Sequence, residues 1–99
     1  MLEIRVGEKG EIVLSGRFDA SQAVKAETFM SAITESRVVD LGDLQYVSSA
    51  GLGVLLATQK RLMASGHALK LVNVRGHVRD VFHYSGFERI FEIDPAPPA

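Results

Sequence analysis

Short apolar runs alternate with segments of helical spacing along most of this 99-residue chain. A first hairpin is expected from residues 2–6 and a second strand that ends at Ser15-Gly16. After it, each strand-like run is followed by a helix-like segment, which is typical of parallel crossover units. The sequence therefore predicts an α/β fold of order β-β-α-β-α-β-α-β, with helices packed against a mixed, largely parallel sheet of four or five strands.

Turn residues and apolar spacing set the expected limits of the elements. The first helix is predicted over residues 20–35, with Asp19 or Ser21 as its cap, and a buried strand over residues 37–41, which Gly42-Asp43 ends. The later elements are a helix over 51–64, a strand over 68–74, a helix closed by Gly86 and a strand over 90–93. One apolar stripe is expected on the helix over 51–64, formed by Leu52, Leu55, Leu56, Leu62 and Met63.

Composition narrows the class of protein. At 46% hydrophobic residues, the chain can bury one modest core, and we expect one domain over residues 1–94 with a flexible Pro/Ala tail over 95–99. No apolar run approaches the roughly 20 residues needed to span a bilayer, and the N-terminus lacks the layout of a signal peptide, so a cytoplasmic protein is expected. A net charge of −1 without a basic stripe argues against a nucleic-acid partner.

Two adjacent serines, Ser48 and Ser49, stand where a strand-like run gives way to a helical pattern. A serine at this place commonly accepts a hydrogen bond from an unpaired N–H of the first helical turn. The same N–H groups and the helix dipole also favour an added phosphate, which brings roughly −1.5 to −2 charges. From the residues alone, both a cap and a modification site stay open.

Enzymatic and metal sites are not expected. Without cysteine there is no thiolate ligand or thiol nucleophile, and the three histidines lack the spacing of a metal site, so no metal or cofactor is predicted. Gly51-Leu52-Gly53 is not followed by the Lys-Ser/Thr of a phosphate-binding loop. The run before it also lacks the first glycine of a hydrolase nucleophile elbow, and we predict a protein that binds rather than catalyses.

Several runs in register resemble one family. VVDLGDLQYVSSAGLGVLL (residues 38–56) is similar to the signature of the STAS domain family, in particular the single-domain bacterial anti-sigma-factor antagonists. GRFDAS (residues 16–21) resembles the family's Gly-x-Leu-Asp segment, and residues 67–93 resemble its closing strand, helix and strand. One difference stands out, because Ser48 occupies the position at which many members have Asp.

The resemblance implies a phosphorylation-controlled switch. In the family, a serine kinase of the histidine-kinase-like ATPase type, which is also the anti-sigma factor, phosphorylates the matching serine, and a PP2C-type phosphatase reverses the reaction. That serine is Ser49 here, with Ser48 as second choice. Asp19 matches an acidic residue of the family, although a cap role is equally open. The partner-binding surface is expected to comprise Asp19, Ser48, Ser49, Ala50, Gly51, Leu52 and three positions taken as exposed on the helix: Thr58, Gln59 and Arg61.

Two alternative functions, each from another class of protein, are also open. The chain could be a constitutive STAS subunit of a membrane transporter complex, held in trans, with Ser49 acting only as a cap. Nucleotide sensing by the domain itself has family precedent but no supporting feature in this sequence.

Overall fold

The computed structural model describes residues 1–96 as a five-stranded sheet with three α-helices. The strands are β1 (Leu2–Val6), β2 (Ile12–Phe18), β3 (Arg37–Val47), β4 (Leu69–Val74) and β5 (Glu92–Pro95). The helices are α1 (Ala23–Ser31), α2 (Ser49–Ala64) and α3 (Gly76–Ser85), with 3-10 turns at Ala20–Gln22 and Phe87–Arg89. The predicted fold class and element order are confirmed.

The strands lie in sequence order, β1 antiparallel to β2 and the others parallel. Each parallel crossover therefore steps to the next strand in the same direction, and right-handed crossovers then place all three helices on one face. The burial of neighbouring rows agrees with this arrangement. The row of Ile12, Val39 and Leu71 is fully buried, whereas the next row, with Val38, Lys70 and Glu92, is exposed or half-buried.

Two strands run further than the sequence indicates. Gly42-Asp43 does not end β3, because the strand continues to Val47 with β2 beside it. The Asp40 carboxylate accepts the Gly42 N–H at 2.8 Å, and the pairing with β2 shifts register nearby, so the turn-forming residues are absorbed as an irregularity. β2 likewise continues through Gly16, whose φ of +90° and closeness to the Met1 carbonyl suit only a glycine.

The first helix and the last strand also differ from expectation. α1 ends at Ser31 rather than near residue 35, after a 3-10 turn in place of its first turn. Gly86 does close α3 in a left-handed conformation, but the Phe87–Arg89 turn delays the last strand to Glu92–Pro95. Proline is tolerated in β5 because this is an edge strand. The Ala96 N–H donates to the Val74 carbonyl at 3.1 Å, so the fold extends past the boundary expected at residue 94, and residues 97–99 of the expected tail lie outside the described part.

The buried stripe of α2 differs from the expected one, because it includes the polar Gln59 and leaves Leu56 half-buried and Met63 exposed. Leu52, Leu55 and Leu62 are buried as expected, but Met63 is 54% exposed. Gln59, only 2% exposed, stands between Leu55 and Leu62 on the same stripe. Its Oε1 accepts the Leu69 N–H at 2.7 Å, and its Nε2 donates to the Ile90 carbonyl at 2.9 Å. One side chain therefore pairs backbone groups at the start of β4 and before β5.

None of the helices within residues 1–96 is both long and apolar enough to cross a membrane.

Replacing Gln59 with leucine is expected to lower the free energy of unfolding by about 1–3 kcal/mol, since the buried Leu69 N–H and the part-buried Ile90 carbonyl lose their partner. Urea unfolding followed by circular dichroism measures the change. Lys60→Leu, one residue away on the exposed side, is the matched control and is expected to change stability by less than about 0.5 kcal/mol. Equal stability of the two variants would contradict the role assigned to Gln59.

Candidate functional site

The carboxyl ends of β2 and β3 meet at one edge of the sheet, and α2 begins there. Phe18 pairs with Val47 in the last register position, and the Ser48 N–H donates to the Phe18 carbonyl at 2.9 Å. Asp19 follows Phe18 directly, so the structure brings the predicted residues Asp19, Ser48 and Ser49 to the same edge of the sheet.

The two serines have separate roles. Ser48 is extended, and its hydroxyl oxygen accepts the Gly51 N–H at 3.2 Å, which is the geometry of an N-cap. Ser49 is the first residue inside α2 and is exposed, and its hydroxyl makes no hydrogen bond within residues 1–96. The first turn of α2 carries no acidic side chain. A group added to Ser49 would therefore leave the cap intact and would lie beside the positive end of the helix dipole.

Asp19 caps the 3-10 turn that follows it. Its carboxylate accepts both the backbone N–H of Ser21, at 3.0 Å, and the Ser21 hydroxyl. The Ser21 hydroxyl is the main reason that the pKa of the Asp19 carboxyl is lowered from its ordinary value, and the nearby Arg17 adds a smaller effect. Asp19 is therefore an anion at the site and has the cap role that the sequence left open.

The two glycines of the signature have different surroundings. A Cβ on Gly51 would lie 2.9 Å from the Phe18 ring and 2.9 Å from the Phe18 carbonyl oxygen, so only a glycine allows α2 to approach the sheet this closely. A Cβ on Gly53 would meet nothing within 4 Å. Gly51 therefore serves the packing of α2, whereas Gly53 leaves part of the exposed helix surface bare.

Four of the predicted contact residues are buried. Thr58 and Gln59 are 5% and 2% exposed, so placing them on the outer face of the helix is wrong. The Thr58 hydroxyl donates to the Val54 carbonyl, and Gln59 pairs backbone groups as described above. Gly51 and Leu52 are buried too, and they support the serines from beneath rather than presenting a surface.

Arg61 is exposed as expected, but its guanidinium group has a structural role. One nitrogen donates to the Ile33 carbonyl and the other to the Met30 carbonyl, both at 2.8 Å. These carbonyls belong to the end of α1 and the residues just after it, and the Met30 carbonyl also accepts the Ile33 N–H at 3.0 Å. Arg61 therefore fastens α2 to the C-terminal end of α1.

A groove of about 480 Å³ lies between these two helices and was not predicted. It starts at Ala50, next to Ser49, and ends at Arg61. Its lining includes Ala23, Glu27 and Met30 of α1 and Ala50, Gly53 and Ala57 of α2. Small residues at a spacing of four (Ser49, Gly53, Ala57) are the sequence signal for this shallow face of α2. We call it the α1–α2 groove.

A stacked column on β3 was also missed. The Tyr46 ring stacks on His77 with centroids 5.3 Å apart and planes 6° apart, and the Arg17 guanidinium lies 4.4 Å from the Tyr46 centroid. Arg17 belongs to β2, Tyr46 to β3 and His77 to α3. No sequence spacing connects these residues, because each lies on a different element.

Alanine substitution of each serine is expected to distinguish the capping serine from the exposed one. Ser48→Ala should lower the free energy of unfolding by about 1 kcal/mol, because the Gly51 N–H loses its acceptor. Ser49→Ala should change it by less than about 0.5 kcal/mol, since the hydroxyl is exposed. Urea unfolding of both variants tests this, with Ser48→Asp as a control that keeps an acceptor. A larger loss in Ser49→Ala than in Ser48→Ala would show that the cap is wrongly assigned.

The glycines should respond to alanine in opposite directions. Gly51→Ala forces a Cβ against the Phe18 backbone and is expected to cost about 1–3 kcal/mol. Gly53→Ala adds a methyl group in open space and is expected to stabilise the protein by about 1 kcal/mol through helix propensity. Thermal unfolding of the pair distinguishes the two positions, and a destabilised Gly53→Ala variant would contradict the open geometry described here.

Comparison with known proteins shows the family and the fold. A family model described as "Mlab, STAS domain" matches residues 3–93. BtrV of Bordetella bronchiseptica, a candidate anti-sigma factor antagonist, is 42% identical over 84 residues, which cover 81% of this chain and 72% of BtrV. An anti-sigma factor antagonist from Mycobacterium paratuberculosis has the same fold, with a TM-score of 0.80 at 24% identity over 96% of this chain and 85% of that one.

The Bacillus cell fate determinant SpoIIAA, in its phosphorylated form, also has this fold. The TM-score is 0.67 at 20% identity, and the match covers 94% of this chain and 90% of SpoIIAA. The near-complete match of the family model and the identity to BtrV together settle the family. The chain belongs to the STAS domain family.

Proposed function

We propose that this protein is an anti-sigma factor antagonist that works as a phosphorylation-controlled binding switch, with Ser49 as the acceptor. The observation that carries the proposal is the separation of the two serines. Ser48 holds the start of α2, which leaves the exposed Ser49 hydroxyl free for modification. The naming of BtrV and of the Mycobacterium structure as antagonists supports the same class of function.

The switch acts through surface charge. In the unphosphorylated state, the protein binds an anti-sigma factor, and the sigma factor held by that partner is released. Phosphate on Ser49 adds roughly −1.5 to −2 charges at the end of α2. The helix dipole and its free N–H groups stabilise the phosphate, so the domain stays folded. A partner packed over this end of the helix then has to desolvate a charge that it cannot pair, and it dissociates.

The protein is a substrate and a binding partner in this scheme, not a catalyst. The kinase is the anti-sigma factor itself, of the histidine-kinase-like ATPase type, and a PP2C-type phosphatase restores the binding form. Ala50 follows the acceptor serine, Asp19 lies at the same edge of the sheet, and both belong to the contact surface of this proposal. Ser48 replaces the aspartate common in the family and keeps the cap with a neutral oxygen.

The switch makes a direct prediction for two substitutions. Ser49→Ala should bind the anti-sigma factor as the unmodified protein does and should not release it when ATP is added. Ser49→Asp should bind at least about tenfold more weakly, because one charge is fixed at the contact surface. Isothermal titration with the purified partner measures both, and phosphopeptide mapping of protein from growing cells identifies the modified serine.

Ser65→Asp is the matched control, since it adds the same charge at the exposed opposite end of α2. Its affinity should equal that of the wild type. If Ser49→Asp binds as tightly as Ser65→Asp, and Ser49 carries no phosphate in any growth condition, the switch is wrong. Stable co-purification of Ser49→Asp with a transporter ATPase would instead favour the constitutive subunit. That alternative assigns the cap role to Ser49, whereas the oxygen that accepts the Gly51 N–H belongs to Ser48.

A further inference from the structure

We infer that β1 is an interface between two copies of this chain. The two β1 strands pair antiparallel about Ile4, and the two five-stranded sheets join into one sheet of ten strands. This association does not depend on phosphorylation of Ser49.

The two edge strands of the sheet differ in their ability to accept another strand. β5 has four residues and includes Pro95, which cannot donate a backbone hydrogen bond. β1 has five residues, no proline and no bulge in its pairing with β2. Proline and bulges are among the features that keep an edge from pairing with another chain. β1 is therefore the edge that remains able to pair.

Alternate residues of β1 direct their backbone groups away from the sheet. The Arg17 N–H donates to the Met1 carbonyl at 3.0 Å, so the odd-numbered residues of β1 face β2 and the even-numbered residues face outward. Among residues 1–96, no group forms a hydrogen bond to the backbone of Ile4 or Val6 on this outer side. These two residues offer the donors and acceptors that an added strand needs.

Charge selects one register for the pairing. With Ile4 opposite Ile4 of the second copy, Glu3 of each copy stands opposite Arg5 of the other. These are non-hydrogen-bonded positions, where opposing side chains are closest and opposite charges stabilise the pair. A pairing centred on Arg5 or on Glu3 would place like charges opposite each other. Both side chains are exposed, and neither forms an ion pair within residues 1–96.

The apolar side chains of β1 agree with the same register. Leu2, Ile4 and Val6 share one face of the strand, the face on which Leu2 is fully buried. Val6 is 54% exposed in the single chain. In the dimer it stands opposite Leu2 of the second copy, so association removes apolar surface of Val6 from water.

Two side chains compete with the ladder at Leu2. The Gln22 Oε1 atom accepts the Leu2 N–H at 3.1 Å, and the Lys25 ammonium group donates to the Leu2 carbonyl. The Val6 backbone of the second copy replaces both when the strands pair fully. Lys25→Met should therefore lower the dissociation constant of the dimer, because the freed carbonyl accepts the Val6 N–H without competition.

Sedimentation equilibrium of the full chain tests the interface. The wild type should show a reversible monomer–dimer equilibrium. Glu3→Arg and Arg5→Glu should each raise the dissociation constant at least about tenfold, because each places like charges opposite each other twice. An equimolar mixture of the two variants should form a heterodimer about as tightly as the wild type dimerises, since both opposing pairs are then again of opposite charge.

Two controls separate this contact from general effects of charge. Glu8→Arg and Lys9→Glu make the same charge changes in the β1–β2 turn, outside the paired residues, and should keep the wild-type dissociation constant. Amide hydrogen exchange locates the contact. The Ile4 N–H should exchange more slowly as the protein concentration rises, whereas the Glu3 N–H, which already faces β2, should not change.

Three outcomes would overturn the inference. The first is a protein that stays monomeric at concentrations up to about 1 mM. The second is a dimer that Glu3→Arg and Arg5→Glu leave unchanged, because another surface would then hold the copies together. The third is growth beyond a dimer, which would indicate head-to-tail pairing of β1 with β5 into open chains.

Discussion

The approach of α2 to the sheet at Gly51 is the contact on which the site depends. Because Gly51 has no side chain, α2 packs directly against Phe18 and Val47, the last residues of two parallel strands. The Ser48 N–H then reaches the Phe18 carbonyl, and its hydroxyl reaches the Gly51 N–H. Ser49 is left outside this set of contacts. A larger residue at position 51 would displace the first turn of α2 and every feature of the site with it.

This arrangement resolves a conflict between stability and regulation. A serine that both caps a helix and accepts phosphate would have its capping oxygen altered whenever it was modified. Here the capping oxygen belongs to Ser48, so a charge on Ser49 acts on the surface and not on the fold. The cap contributes about 1 kcal/mol, and that contribution is available in both states of the proposed switch.

The sequence predicted local features well and non-local ones poorly. Element order and the start of α2 follow from periodicity and turn residues, which act within a few positions. The extension of β3 past Gly42 depends on the pairing with β2, which the β3 sequence alone does not reveal. Gln59 was expected on the exposed face of the helix that follows the serines, yet it is buried because its amide pairs two backbone groups distant in sequence. The α1–α2 groove was missed for the same reason, since its walls belong to two helices.

The neutral cap has a consequence for the charge balance at the site. An aspartate at position 48 would cap α2 equally well, but its carboxylate would stand beside a phosphoserine at position 49, and like charges disfavour each other. Ser48 removes that repulsion and leaves the attraction of the helix end for the phosphate undiminished. An acid nevertheless remains at the site, because Asp19 directly follows Phe18, whose carbonyl accepts the Ser48 N–H. The hydrogen bond from Ser21 lowers the pKa of the Asp19 carboxyl and keeps it ionised. The site thus retains an anion in the unphosphorylated state, and the phosphate would change the amount of negative charge there rather than its sign.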